Sequence, residues 1–204
     1  EYQRIHDAKV QYIGRQYLEG SNGEWKIATS DTNRGLVTNA NPEDGVFAGK
    51  GQIANLTIGE NLLGIGDFAF YGCSGLNSVT LNNGLSTIGN GAFANCVNMT
   101  SCDMQLKSAI KIIGKDAFMN CRSLTSLVIP INVEAIGDYC FQGCDGLQNI
   151  ELCGSGNKVL LNVIGYNAFE NCSGLTSLVF PDNFVQSYPY GSDWRDIRTA
   201  EENN

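Results

Sequence analysis

The chain has 204 residues, with 13 Lys and Arg against 21 Asp and Glu and a net charge of −8. It carries no basic block to neutralise a phosphate backbone or to hold an anionic membrane surface, and no run of about 18 apolar residues to span a bilayer, so no nucleic acid and no membrane insertion are expected. The single histidine, His6, excludes zinc sites with two His ligands and would have to serve any Ser/His/Asp or Cys/His relay from outside the patterned part of the chain.

The N-terminus reads "EYQRIHDAKV", without a signal-type hydrophobic stretch. That fits a cytosolic protein, or a secreted one whose leader has been removed. In "YQRIHDAKVQYIGRQYLEG", Ile5, Tyr12, Ile13 and Tyr17 fall near helical spacing, with Gly20 placed as a C-cap. "GEWKIATSD" looks like a strand. Residues 1–45 are therefore expected to form a small N-terminal cap with a possible helix, and Trp25 to cover the first coil.

From residue 46 the chain repeats. "IGDFAFYGC" at 65–73 returns as "IGNGAFANC" at 88–96, "IGKDAFMNC" at 113–121, "IGDYCFQGC" at 136–144 and "IGYNAFENC" at 164–172. Three residues after each Cys an apolar residue opens the pattern L-x-x-L-x-L: Leu76/Val79/Leu81, Met99/Cys102/Met104, Leu124/Leu127/Ile129, Leu147/Ile150/Leu152 and Leu175/Leu178/Phe180. An earlier copy, Ile53/Leu56/Ile58, has Phe47 in the Phe slot and Lys50 in place of Cys. From the last apolar residue of that pattern to the next "IG" Ile the gap is 7, 7, 9, 7 and 12, while all other spacings hold. Residues facing a shared core cannot be inserted without shifting their neighbours, whereas residues at a solvent corner can. The chain is therefore expected to be a solenoid of about six coils. The L-x-x-L-x-L stretches should be short parallel strands stacked ~4.8 Å apart. "V-x-x-I-G" reads as a second strand or an irregular wall, "xxAFxxC" as a turn or 3₁₀-like segment, the "IG" glycine as the freedom for a backbone bend, and Phe as the filling of each coil.

These motifs resemble the leucine-rich repeat superfamily, and specifically its BspA-like class, over residues 46–181. "LTSLVIPINVEAIGDYCFQGC" matches that unit nearly throughout. The end, "LVFPDNFVQSYPYGSDWRDI", is similar to the tail closing many such arrays; residues 182–204 are read as a C-terminal cap, with Tyr188 and Trp194 covering the last coil. The resemblance implies a cell-surface or secreted adhesin, typical of host-associated microbes, with host matrix proteins, epithelial surfaces or other microbes as partners. A non-catalytic binding module is expected rather than an enzyme, because the chain offers one histidine and no convergent acid pair or phosphate loop, and no cofactor is expected.

Cys73, Cys96, Cys121, Cys144 and Cys172 occupy one slot in successive coils and should form an inward-facing column. Packing is the favoured role, because parallel Cβ vectors do not converge and a line of sulfurs is not a tetrahedron; disulfide and metal roles are the alternatives. Cys102 and Cys140 also fall in core slots, and Cys153, beside the longest insertion, is the expected exposed thiol. "GKGQIA" at 49–54 lacks the upstream Gly and the Ser/Thr of a phosphate loop and reads as a turn. The acceptor patterns "NLT" (55–57), "NMT" (98–100) and "NCS" (171–173) overlap core slots and read as coincidence.

The surface that the repeat specifies is the outer face of the six-strand stack. Alternation turns two columns outward: Asn55, Ser78, Ser101, Ser126, Asn149 and Ser177, and beside them Thr57, Thr80, Asp103, Val128, Glu151 and Val179. The first is small and polar. The second mixes acid and apolar groups toward its C-terminal end, so a protein or glycan footprint is expected around Asp103, Val128, Glu151 and Val179, bordered by the insertions 105–109 and 153–158. The alternative is a structural spacer or self-associating unit of a larger surface protein, with no ligand of its own. The sequence leaves the oligomeric state open.

Overall fold

The structure is a computed structural model that describes residues 10–13, 16–21, 24–29, 47–59, 62–104, 109–152, 160–178 and 180. Three strands come first: β1 (Val10–Ile13), β2 (Gln16–Ser21) and β3 (Glu24–Thr29). Each later coil then supplies a pair: β4 (Asn55–Ile58) and β5 (Gly64–Ile65), β6 (Ser78–Thr80) and β7 (Thr87–Ile88), β8 (Ser101–Asp103) and β9 (Ile112–Ile113), β10 (Ser126–Ile129) and β11 (Ala135–Ile136), β12 (Asn149–Leu152) and β13 (Val163–Ile164). β14 (Ser177–Leu178) closes the described strands.

The result is a parallel-strand solenoid. The five two-residue strands form one continuous sheet in the order β5-β7-β9-β11-β13. The L-x-x-L-x-L strands form the opposite wall in two ladders, β4-β6-β8, with β3 added at its N-terminal edge, and β10-β12-β14. The ladder is interrupted between β8 and β10, the coil whose corner gap of 9 exceeds the common 7. The second sheet runs through that coil unbroken.

Alternation within the strands sends Leu56, Val79, Cys102, Leu127 and Ile150 inward on one wall and Ile65, Ile88, Ile113, Ile136 and Ile164 on the other, all buried. Between the walls the Phe residues stack face to face. Phe47, Phe70, Phe93, Phe118, Phe141 and Phe169 lie at successive ring-centroid distances of 5.3, 5.3, 5.4, 5.5 and 5.4 Å, with interplanar angles of 20° or less. One aromatic column thus runs along the solenoid axis and adds stacking to the burial of each ring.

The "xxAFxxC" segments are turns with alternating hydrogen bonds. In one coil, the N–H groups of Phe68, Phe70 and Gly72 donate to the carbonyls of Asn90, Ala92 and Ala94 in the next coil, while those of Ala69, Tyr71 and Cys73 donate three residues back, to Gly66, Phe68 and Phe70. Every second amide links coils and the others close the turn, so the irregular wall leaves few buried backbone groups unsatisfied. The geometry needs left-handed backbone twice per coil. Phe68, Gly91, Asp116, Tyr139 and Asn167 take the first position, and Gly49, Gly72, Asn95, Asn120, Gly143 and Asn171 the second. Glycine and asparagine at the second position are the residue types that tolerate it.

Two expectations are corrected here. The "IG" glycines do not serve a bend: Gly89, Gly114, Gly137 and Gly165 are absent from the left-handed region. They are required because the preceding coil's backbone passes against them; a Cβ on Gly114 would lie 2.7 Å from both the Asn90 nitrogen and the Gly89 carbonyl carbon. Over the described residues 10–13 and 16–20 the expected helix is also overturned, because β1 and β2 form an antiparallel pair with Tyr12 opposite Tyr17, and β2 pairs with β3. Tyrosine and β-branched residues suit strands, and β3 lies parallel to β4 in the register Glu24↔Asn55, supplying hydrogen bonds to an edge that would otherwise be open. Within "GEWKIATSD", Glu24–Thr29 is a strand, as expected. Ile5, His6, Cys153, Tyr188 and Trp194 lie outside the described residues.

Candidate functional site

The parallel registers bring the expected surface residues into rows. Asn55, Ser78 and Ser101 are direct partners, as are Thr57, Thr80 and Asp103; across the second ladder Ser126, Asn149 and Ser177 align, and Val128 faces Glu151. Thr57, Thr80, Ser101, Asp103, Ser126, Asn149, Glu151 and Ser177 are exposed, and Asn55, Ser78 and Val128 are half-buried. Val179 lies outside the described residues. Ser78 Oγ donates to Asn55 Oδ1 at 2.6 Å, so the polar column is tied laterally at its N-terminal end. Because the ladder is interrupted between β8 and β10, Asp103 belongs to one ladder and Val128 and Glu151 to the other. The footprint drawn from the sequence therefore straddles a seam.

The cysteine column is the other candidate for chemistry, and its geometry explains why it recurs. Cys73, Cys96, Cys121, Cys144 and Cys172 each direct Sγ to the carbonyl oxygen of the preceding coil's Phe, at 3.2, 3.2, 3.2, 3.2 and 3.1 Å. The carbonyls of Phe70, Phe93, Phe118 and Phe141 also accept the backbone N–H three residues on, at 3.1–3.2 Å, so both lone pairs are used. Cysteine here is a small apolar residue with one weak donor. Cys102 and Cys140 are buried as well, and the seven described cysteines are free thiols.

Burial raises their pKa values, pushing Cys73 and Cys172 from 9.0 up to about 12 and Cys96, Cys102, Cys121, Cys140 and Cys144 in the same direction. The thiolate is the nucleophile and the metal ligand, so these groups are held in their inert form. A pH dependence follows. Above about 9 the unfolded thiols lose protons that the folded ones keep, so this stabilisation is complete below 9 and is lost as pH rises toward about 12. Urea midpoints are expected to fall steeply through that window. A Cys73→Ala/Cys172→Ala variant should show a shallower fall, and an unchanged slope would assign the effect to other groups.

The family described as "BspA type Leucine rich repeat region" matches residues 42–159 and 111–191, in 6 copies. No curated protein matches the chain. Among solved structures, a leucine rich cell surface protein from Faecalibacterium prausnitzii A2-165 is similar at 21% identity and a TM-score of 0.51, over 82% of this chain and 53% of its own. The chain thus spans about half the length of that relative. The T. pallidum Leucine Rich Repeat protein TpLRR is similar at 20% identity and a TM-score of 0.50, over 97% and 96% of the two chains. The pneumococcal vaccine antigen PcpA is similar at 16% identity and a TM-score of 0.50, over 79% of this chain and 42% of its own. These likenesses are ones of fold. The repeat unit, its spacing and the solenoid it builds agree with the family match, and the chain belongs to the BspA-type leucine-rich repeat family.

Proposed function

We propose that this domain is a non-catalytic binding module of a cell-surface or secreted protein, one that takes a protein or glycan ligand on the outer face of the L-x-x-L-x-L wall and so mediates adhesion. The observation that carries the reading is the pair of registered columns: short, solvent-facing side chains repeated from coil to coil, ending in the mixed group Asp103, Val128 and Glu151. Short polar side chains let a partner backbone approach the sheet, and the acidic and apolar groups supply selectivity. Membership of the BspA-type repeat family and the likeness in fold to a leucine rich cell surface protein support the setting. Among the described residues no helix is long and apolar enough to cross a membrane.

The test is binding to an array of matrix proteins and glycans beside the variant Asp103→Lys/Val128→Lys/Glu151→Lys. A saturable signal reduced by at least about tenfold in the variant is the expected result. A signal unchanged by the substitutions would remove the site from this face, and no signal on the array would favour the spacer reading.

A further inference from the structure

The second sheet has an outer face of its own. In β7, β9, β11 and β13 the second residue of each pair is buried; of the first residues Ile112 is exposed and Thr87, Ala135 and Val163 are half-buried, the Thr87 hydroxyl oxygen being itself buried. Ile112 is 49% exposed, the highest value among the exposed large hydrophobic residues described. Beside this row runs a charged step. Glu134 N–H donates to the Lys111 carbonyl at 2.7 Å, and the Lys111 ammonium lies 3.2 Å from Glu134 Oε1 with both side chains exposed. β7, β9, β11 and β13 are hydrogen-bonded in that order, so these residues form a four-step grid.

That grid is self-complementary about one line. A twofold axis parallel to the strands and midway between β9 and β11 lays β9 of one copy on β11 of the other, and β7 on β13. Ile112, the bulky projection, then meets Ala135 of the second copy, the shortest side chain in the row, and Ala135 receives the second Ile112 in turn. Thr87 meets Val163. Lys111 meets Glu134 of the second copy and Glu134 meets its Lys111, so four charges alternate around the axis. Size and sign match under the same operation, as an isologous interface requires. We infer that this face is the contact of a symmetric homodimer, a second copy of the chain being its partner. The contact lies on the wall opposite the proposed ligand face, so a dimer would present two such faces outward, and the inference stands independently of what they bind.

The test is sedimentation velocity of the full chain under reducing conditions, from micromolar to millimolar concentration. A monomer–dimer equilibrium is expected. Ala135→Arg sets a charge against Ile112 and is expected to leave a folded monomer, checked by circular dichroism. Lys111→Glu turns the alternating charges into four carboxylates and is expected to weaken the dimer by about tenfold or more. The swap Lys111→Glu/Glu134→Lys restores the alternation and is expected to restore the dimer. A chain that stays monomeric throughout overturns the inference. So does a dimer indifferent to Ala135→Arg, or one that the charge swap fails to rescue.

Discussion

Replacing Phe118 by alanine is expected to cost about 4–5 kcal/mol, near the top of the range for a buried ring. Phe118 is fully buried and stacks on two neighbours, Phe93 at 5.4 Å and Phe141 at 5.5 Å. Its removal leaves a cavity and ends two stacking contacts at once. Phe47 makes the comparison: it is as buried but stacks on Phe70 at the end of the column, so Phe47→Ala should cost about 3 kcal/mol. Position adds a second effect. In a solenoid, stability is a sum of coil and nearest-neighbour terms. The L-x-x-L-x-L ladder is interrupted between β8 and β10, in the coil that holds Phe118, so coupling there rests on the side-by-side packing of β8 and β10, the second sheet, the turn hydrogen bonds and the Phe column. Phe118→Ala should therefore lower the dependence of unfolding free energy on urea as well as the midpoint, because the two halves begin to unfold separately. Phe47→Ala should lower the midpoint alone. Equal losses in the two variants, with equal slopes, would mean that the column does not couple the coils.

Most of this fold is legible in the sequence because a solenoid writes each structural role several times. One Ile, Phe or Cys is ambiguous; five at one spacing are not, and the exceptions in length fall at one corner. The same redundancy places the cysteines inward, although no side-chain pattern encodes that each thiol is donated to a Phe carbonyl. Where the repeat stops, so does the signal. Tyr12, Ile13 and Tyr17 fit either period over so short a span, and what decides in favour of strands is the edge of β4, which no local pattern contains. The left-handed positions were signalled and missed, since Gly or Asn precedes every column cysteine: Gly72, Asn95, Asn120, Gly143 and Asn171. The outer columns could be written down from alternation alone, but the seam between Asp103 and Val128 could not, because hydrogen-bond continuity is not a property of side-chain pattern. The second sheet's outer face is not legible in the sequence for a simpler reason. With two-residue strands, one outward residue per coil makes no pattern until register aligns Thr87, Ile112, Ala135 and Val163.

The glycine of each "IG" gives the second large effect, and its cause separates two kinds of glycine in this chain. Gly114→Ala is expected to cost about 2–3 kcal/mol, the cost of overpacking against atoms that cannot rotate away. The added methyl would sit 2.7 Å from the Asn90 nitrogen and from the Gly89 carbonyl carbon, and 2.9 Å from Asn90 Oδ1, which itself accepts the Lys115 N–H. Relief requires moving one coil off another, against the ladder that pairs Ile88 with Ile113. Gly72 is the contrasting case. Its φ is +66°, and a Cβ there meets nothing within 4 Å. Conformation alone is at stake, so Gly72→Asn should be nearly neutral, as Asn95, Asn120 and Asn171 at the same position imply, while Gly72→Val should cost about 1–2 kcal/mol. Urea unfolding of the three variants decides between the two roles. If Gly114→Ala lies within about 0.5 kcal/mol of the parent, the coils are not in the contact described, and the repeated "IG" would need another explanation. If it is costly and Gly72→Asn is not, the repeated glycine records how closely one coil packs on the next, and Ile112, two residues before Gly114, should lose its place on the second sheet in the same variant.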